Sequence, residues 1–299
     1  MRYMAIALGL TAALLPTACN NFRNHPPPEQ VRGFDRTPTA EQLVRHLNHN
    51  AQRVQGVEYQ RAWIDVKQGN DTVMLESLLA CQKPRNFRLI GRAVGNREVD
   101  IGSNDQEFWY WIKRAPEPNY VYYCSHEDFR RGVRLPFPFQ PEWVMEALGV
   151  ASYDETKKYE VRETPRTVEL IERTTTPQGQ PVRKVTVFDR GQLATGRVQP
   201  AGYVLQDASG REIASAKVAD IQYDPATGAV LPRRVQLVWP AEKIEMTMKL
   251  EGPRVGPIDP QRAAGIFSRR DLASLPSYDL ARGPDAASGR VERTGGLLR

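Results

Sequence analysis

Cys124 and His126 stand two residues apart in the run Val-Tyr-Tyr-Cys-Ser-His. On a strand that spacing puts a thiol and an imidazole on one face, the pairing a cysteine nucleophile uses. A nucleophile also needs an oxyanion site and a cleft, and the neighbouring sequence suggests neither. His46 and His49 are three apart in a helical pattern and could face one way. No carboxylate or third histidine stands in register with them, so a solvated helix face accounts for them better than a metal set. The chain has no G-x-S-x-G elbow, no P-loop, no G-x-G-x-x-G and no H-E-x-x-H. The residue inventory therefore points away from catalysis, metal binding and cofactors.

A third cysteine has a different setting. The chain opens MRYMAIALGLTAALLPTAC, with Arg2 as a positive start and an apolar run over residues 4–15. Twelve apolar residues are too few for a permanent membrane span and fit a secretory signal. Small residues just before Cys19 resemble a bacterial lipobox, in which the signal is cut before the cysteine and a diacylglycerol is attached to it. Leu15 is one residue early and Pro16 takes the usual leucine position. The other reading is an ordinary cleaved signal with a chance cysteine. At ~0.8 kcal/mol per buried CH₂, several acyl chains on one residue would anchor the protein firmly. By resemblance to enterobacterial lipoproteins, Asn20 in place of aspartate would not retain the protein at the inner membrane, which favours the outer membrane, with the protein facing the periplasm. Cys81 and Cys124 remain. Counted along the strands they sit about four strands apart, and at ~4.8 Å per strand that exceeds disulfide reach. Two buried thiols are expected unless the sheet closes tightly.

Apolar binding has no short motif, only apolar walls. The candidates for lining an acyl groove are Trp63, Trp109, Trp111, Phe137, Phe139, Trp143, Met246 and Met248. Phe137, Phe139 and Trp143 are the candidates for its mouth. Pro136, Pro138 and Pro141 hold them in a loop that cannot enter a sheet.

The elements that must carry these residues are mostly strands. Residues 83–124 read as short antiparallel strands over 87–94, 98–101, 107–113 and 120–124, with a Gly95-Asn96 hairpin turn. In FWYWI, period two sends Phe108, Tyr110 and Ile112 one way and Trp109 and Trp111 the other. A strand apolar on both faces needs cover on both. Upstream, residues 20–38 form a Pro-rich tether. Thr39 reads as a helix N-cap with Gln42 completing a capping box, and Leu43, Val44, Leu47, Ala51 and Val54 recur at helical spacing until Gly56. Strands resume over 57–66 and 72–81, and again after a short helix at 142–148. In the last, Ile244, Met246, Met248 and Leu250 alternate with polar residues, so one face is apolar and the other wet. Short Gly-bearing links make neighbours antiparallel.

The stretch KPRNFRL, a hairpin, and then DIGSNDQEFWYWI resembles the LolA/LolB family of bacterial lipoprotein carriers and receptors. Pro84, Phe87, Arg88, Ser103, Asp105 and Trp109 occupy comparable places; Asn104 interrupts the family's Ser-Asp-Gly, and Gln106 replaces its glycine. The resemblance implies an N-terminal helix packed on the concave side of the sheet. It also implies handling of lipoproteins or lipids in the cell envelope, and it extends to envelope sensor domains that bind regulators.

About eleven strands in one sheet would curl strongly. The expected fold is mainly β, a curved antiparallel half-barrel. Its apolar concave face would be covered by the N-terminal amphipathic helix and short lid helices, one of them over residues 260–266. The expected organisation is a signal over residues 1–18, a tether over 19–38, the domain over 39–267 and a disordered tail over 268–299. The chain has 299 residues and a net charge of +6, with Lys and Arg scattered, so nucleic acid is disfavoured. The reading is a membrane-anchored protein that binds acyl chains without catalysis. The alternative is a sensor or scaffold of the same fold that binds an envelope protein. An open apolar groove favours the first; a filled core with an exposed patch favours the second.

Overall fold

The structure, a computed structural model, describes residues 37–114, 119–133, 140–194 and 198–284. Cys19, Phe137 and Phe139 lie outside these, as do the signal, residues 19–36 of the tether, and residues 285–299.

Helix α1 (Ala40–Arg53) starts as its sequence dictates. The Thr39 hydroxyl accepts from the Gln42 amide at 3.3 Å, and the Gln42 side chain accepts from the Thr39 amide at 2.8 Å. Six strands follow as a meander: β1 (Gly56–Gln68), β2 (Asp71–Gln82), β3 (Asn86–Ala93), β4 (Asn96–Ser103), β5 (Glu107–Ile112) and β6 (Val121–Ser125). Two short helices come next, α2 (His126–Arg130) and α3 (Pro141–Ala147). The second meander is β7 (Tyr159–Glu163), β8 (Thr167–Thr175), β9 (Pro181–Asp189), β10 (Pro200–Asp207), β11 (Glu212–Tyr223), β12 (Val230–Trp239) and β13 (Ile244–Val255), with α4 (Arg190–Ala194) between β9 and β10. The first meander joins the second where β1 pairs antiparallel with β13. Then come α5 (Pro260–Ile266), a 3-10 turn (Arg270–Leu272), β14 (Ser277–Asp279) and β15 (Gly283–Pro284). The described strands make one sheet of fifteen, in the order β15-β14-β6-β5-β4-β3-β2-β1-β13-β12-β11-β10-β9-β8-β7. All neighbours are antiparallel except β14 and β6. A bulge between Tyr59 and Ala62 adds local bend to β1.

The inner face carries the main core. Ala62, Ile64, Leu75, Phe87, Tyr110, Leu237, Met246, Met248 and Leu250 point into one cluster drawn from both meanders. Helix α3 and the residues after it, through Val150, lie inside that cluster. Helix α1 packs on a neighbouring cluster, where Leu43, Val44 and Leu47 meet Val168, Leu170 and Phe188.

The outer face differs from the sequence expectation in two respects. Residues 268–284 are not a disordered tail: they hold the 3-10 turn and two strands, and Leu272 packs on Trp109, Trp111 and Val121. Helix α5 covers the outer face rather than the concave one, where Ile258 and Phe267 pack on Ala80. The reason is FWYWI itself. Its second apolar face needed cover, and the C-terminal segment supplies it. Arg88 fixes that segment. Its guanidinium, almost fully buried, pairs with Asp100 at 2.7 Å and Asp271 at 2.9 Å, and donates to the carbonyls of Ile266 and Ser268. Arg97 bridges the same two carboxylates at 3.0 and 2.8 Å. The Trp109 indole donates to Asp100 at 3.3 Å and closes on Gly102, where a Cβ would stand 2.1 Å from the ring. Only glycine fits there.

The β3–β4 hairpin sits one residue earlier than its Gly-Asn pair suggested. Ala93 pairs with Asn96, and the two loop residues are Val94 and Gly95, at φ +48° and +79°. Tight hairpin turns need two positive φ values, and a β-branched residue tolerates that poorly. Val94 is fully exposed, so it gains nothing from burial in return. Val94→Asn is expected to raise stability by about 1 kcal/mol in urea denaturation. An unchanged or lower midpoint would contradict this turn geometry.

Candidate functional site

The inner face is a continuous apolar surface, and among the described residues α3 is what fills its middle. Pro141 opens the helix at a position where its missing N–H costs nothing. Trp143, Val144, Met145 and Ala147 are buried, as are Leu148 and Val150 beyond them. The Trp143 ring meets Trp239 of β12 edge-on, with centroids 5.9 Å apart. One side of α3 is polar. The Glu146 carboxylate, also buried, takes a 2.7 Å ion pair from Lys184 of β9. Burial alone would lower the Lys184 pKa; the Glu146 charge beside it prevails, and the pKa rises. Tyr153 hydrogen bonds Thr186 at 2.9 Å, and burial pushes the Tyr153 and Tyr203 hydroxyls above their usual range.

Two cavities flank α3. The inner one, between α1 and strands β10 to β12, holds only about 30 Å³ and is lined by His46, Glu146, Tyr153 and Tyr203. The outer one holds about 430 Å³ at the end of the sheet. Phe108, Phe129 and Pro141 form its apolar wall, Arg85, Arg130 and His126 stand beside them, and Thr175 to Pro177 close the far side. Phe108 and Phe129 meet edge to face at 5.4 Å.

The structure divides the proposed lining residues. Met246 and Met248 face inward and Trp143 packs among the same residues. Trp109 and Trp111 face outward under the C-terminal segment. Trp63 is on the outer face too, 38% exposed, with Lys249 over its ring at 5.3 Å. These three cannot share a groove with Met246. Alternation assigned them to one side of their strands without saying which side is inner. Sequence reading missed Glu146 and Lys184, which lie 38 residues apart and meet only through the fold.

The Cys124 and His126 side chains are engaged separately. The Cys124 thiol donates to the Ser125 carbonyl at 3.3 Å, and His126 Nε2 bonds the Asn104 carbonyl at 2.8 Å. Burial first, then Asp128 and Asp279, raise the Cys124 pKa to about 11, so it stays a thiol. Cys81 and Cys124 are both free and buried. No group of three metal-ligating side chains occurs among the described residues, and no described helix is long and apolar enough to cross a membrane.

No family model matches the chain, and no curated protein matches it in sequence. Solved structures do. A domain assigned to outer-membrane lipoprotein sorting, from Vibrio parahaemolyticus, superposes with a TM-score of 0.51 at 10% identity, over 76% of this chain and 98% of that one. The chain has the LolA/LolB-like fold. A DUF1329-family protein from Desulfovibrio piger gives a TM-score of 0.48 at 11% identity, and a LolA-superfamily protein from Nitrosomonas europaea gives 0.47 at 9%. Each of these covers 77% of this chain and 98% of its own. At such identities the likeness is one of fold, and for the LolA/LolB-like domain here the site has to be argued from its own residues.

His46 offers a measurable handle on the α1 side of the inner face. Burial first, then the charge of His49, lower its pKa from 6.5 to about 4, and its Nε2 is buried without a hydrogen-bond partner. Because the folded value lies below the unfolded one, the unfolded state takes up the proton first as pH falls. Stability is therefore lost between pH 6.5 and 4. From pH 7 to 4.5 the loss due to His46 is about 2 kcal/mol. His46→Asn is expected to lose that much less than the parent in urea denaturation at the two pH values. Equal losses would place His46 in water.

Proposed function

We propose that the chain is a lipoprotein of the cell envelope, anchored through an acylated Cys19 and facing the periplasm. On this reading its LolA/LolB-like domain takes acyl chains of lipids or lipoproteins onto the inner face of its sheet. The observation that carries this is the cover over the middle of that face: among the described residues it is one seven-residue helix, α3, plus Leu148 and Val150, while α1 covers the β8–β9 side. The short helix at this meander crossover is held by side-chain burial and by the Glu146–Lys184 ion pair. Burying Trp143, Val144, Met145 and Leu148 is worth about 1.5–3 kcal/mol each. An acyl chain of a dozen methylenes gains about 10 kcal/mol at ~0.8 kcal/mol per CH₂. The two sums are close. An incoming chain can displace α3, and α3 can return when the chain leaves. Transfer then needs no reaction, only a difference in apolar burial between donor and acceptor.

A second reading, a non-catalytic scaffold that binds an envelope protein, has two observations in its favour: the inner face is filled by α3, with a cavity of only about 30 Å³ beside it, and the outer face carries an exposed apolar patch. Trp63, Met74 and Leu78 stand exposed on the outer face of β1 and β2.

Fluorescence separates the two. A bromine-labelled fatty acid is expected to quench Trp143 and Trp239, with most of the quenching lost in the double variant Trp143→Phe, Trp239→Phe. Met246→Asp, which puts a charge on the inner face, is expected to abolish it. Acyl binding is refuted if Met246→Asp keeps its melting temperature and the quenching is unchanged.

A further inference from the structure

The cavity at the end of the sheet has a charge pattern that α3 alone does not explain. Its wall is apolar on the α3 side, where Phe108, Phe129 and Pro141 meet. Beside that wall stand Arg85, on the link between β2 and β3, and Arg130, at the end of α2. Neither guanidinium makes an ion pair or hydrogen bond among the described residues. Their neighbours contrast with them. Arg131 pairs with Glu127 at 2.5 Å and with Asp128, and Arg88 is fully engaged on the outer face. Among the described residues, the one carboxylate lining the cavity is Glu142, which is exposed and belongs to the first turn of α3. It therefore moves with the helix that an acyl chain would displace. His126 also lines the cavity, but its Nε2 is already bonded to the Asn104 carbonyl.

We infer that this cavity holds the anionic headgroup end of a single acyl chain, with Arg85 and Arg130 on the headgroup and Phe108, Phe129 and Pro141 against the first methylenes. The inference rests on the acyl-binding reading above and adds to it a ligand class and a direction. At about 430 Å³ the cavity falls within the range of about 300–1,000 Å³ that small-ligand sites occupy. Guanidinium groups suit carboxylate and phosphate oxygens, because two parallel N–H donors match two oxygens. A rim with two cations that make no ion pair among the described residues, beside an apolar wall, complements an amphiphile with one negative end. It does not complement a neutral chain or a free ion. Phe108 is on the inner side of β5, so a chain entering here passes directly toward Tyr110 and the α3 position. The site thus sets polarity: headgroup at the end of the sheet, tail inward.

The test is isothermal titration of the full chain carrying Cys19→Ser with decanoate, decanol and acetate at pH 8. Decanoate is expected to bind about tenfold more tightly than decanol, the gain of one charge-assisted contact set, and acetate not to bind measurably. In the double variant Arg85→Gln, Arg130→Gln, decanoate is expected to fall to within about twofold of decanol while decanol is unchanged. Arg131→Gln, at the paired neighbour, is expected to leave the preference intact. Equal binding of decanoate and decanol by the parent would overturn the headgroup site and leave acyl binding standing. Binding of neither would overturn both. Acetate binding as tight as decanoate would mean an ion site without a chain. Equal weakening of both probes in the double variant would assign the two arginines to the fold and overturn their role here.

Discussion

Trp143 against Trp239 is the contact on which the account of the inner face depends. The sheet presents Met246, Met248, Leu237 and Ile64 to the same space, and that surface cannot stay wet without losing most of the burial that stabilises the fold. A helix of seven residues supplies the cover. It lies where the chain crosses from the first meander to the second. It is specific because Glu146 brings a charge inside, and that charge requires Lys184 at 2.7 Å. Breaking such a pair strands a charge in an apolar setting, so α3 has one seated position rather than many.

The outer face follows different rules. Arg88, Arg97, Asp100 and Asp271 form a closed set of charges that ties the last described segment to β3 and β4. The Trp109 ring over Gly102 leaves no space for rearrangement beneath it. The sheet thus has a back tied by charge pairs and a front covered by a short helix, the part that the proposed acyl binding would displace. The Arg85 and Arg130 rim belongs to the front, since it opens beside Pro141 and not under the C-terminal segment.

Local pattern made much of this legible. The capping box at Thr39, the inward alternation of Ile244, Met246, Met248 and Leu250, and the two-faced FWYWI strand follow from spacing alone, and the structure carries each one. Three things were not legible, for physical reasons. Alternation cannot say which parity faces inward when both are aromatic, so spacing alone groups Trp109 and Trp111 with Met246, while in the structure they face away from it. The Arg88–Asp271 pair spans 183 residues, and no sequence period encodes such a contact. The segment after residue 267 reads as polar because its apolar contribution is a few residues, Leu272 and Leu275, that matter only once Trp109 is beneath them. The Val94 turn shows the opposite limit. Gly-Asn marked the hairpin correctly but not the residue that would bear the positive φ.

Hydrogen exchange read by mass spectrometry across residues 141–150, with and without a saturating fatty acid, tests the central claim most directly. If acyl chains take the place of α3, its amides lose protection when the chain binds, while those of α1 and of strands β1 and β13 keep theirs. If the fatty acid binds and the amides of 141–150 stay as protected as before, α3 is a permanent part of the core and the inner face is not the binding site.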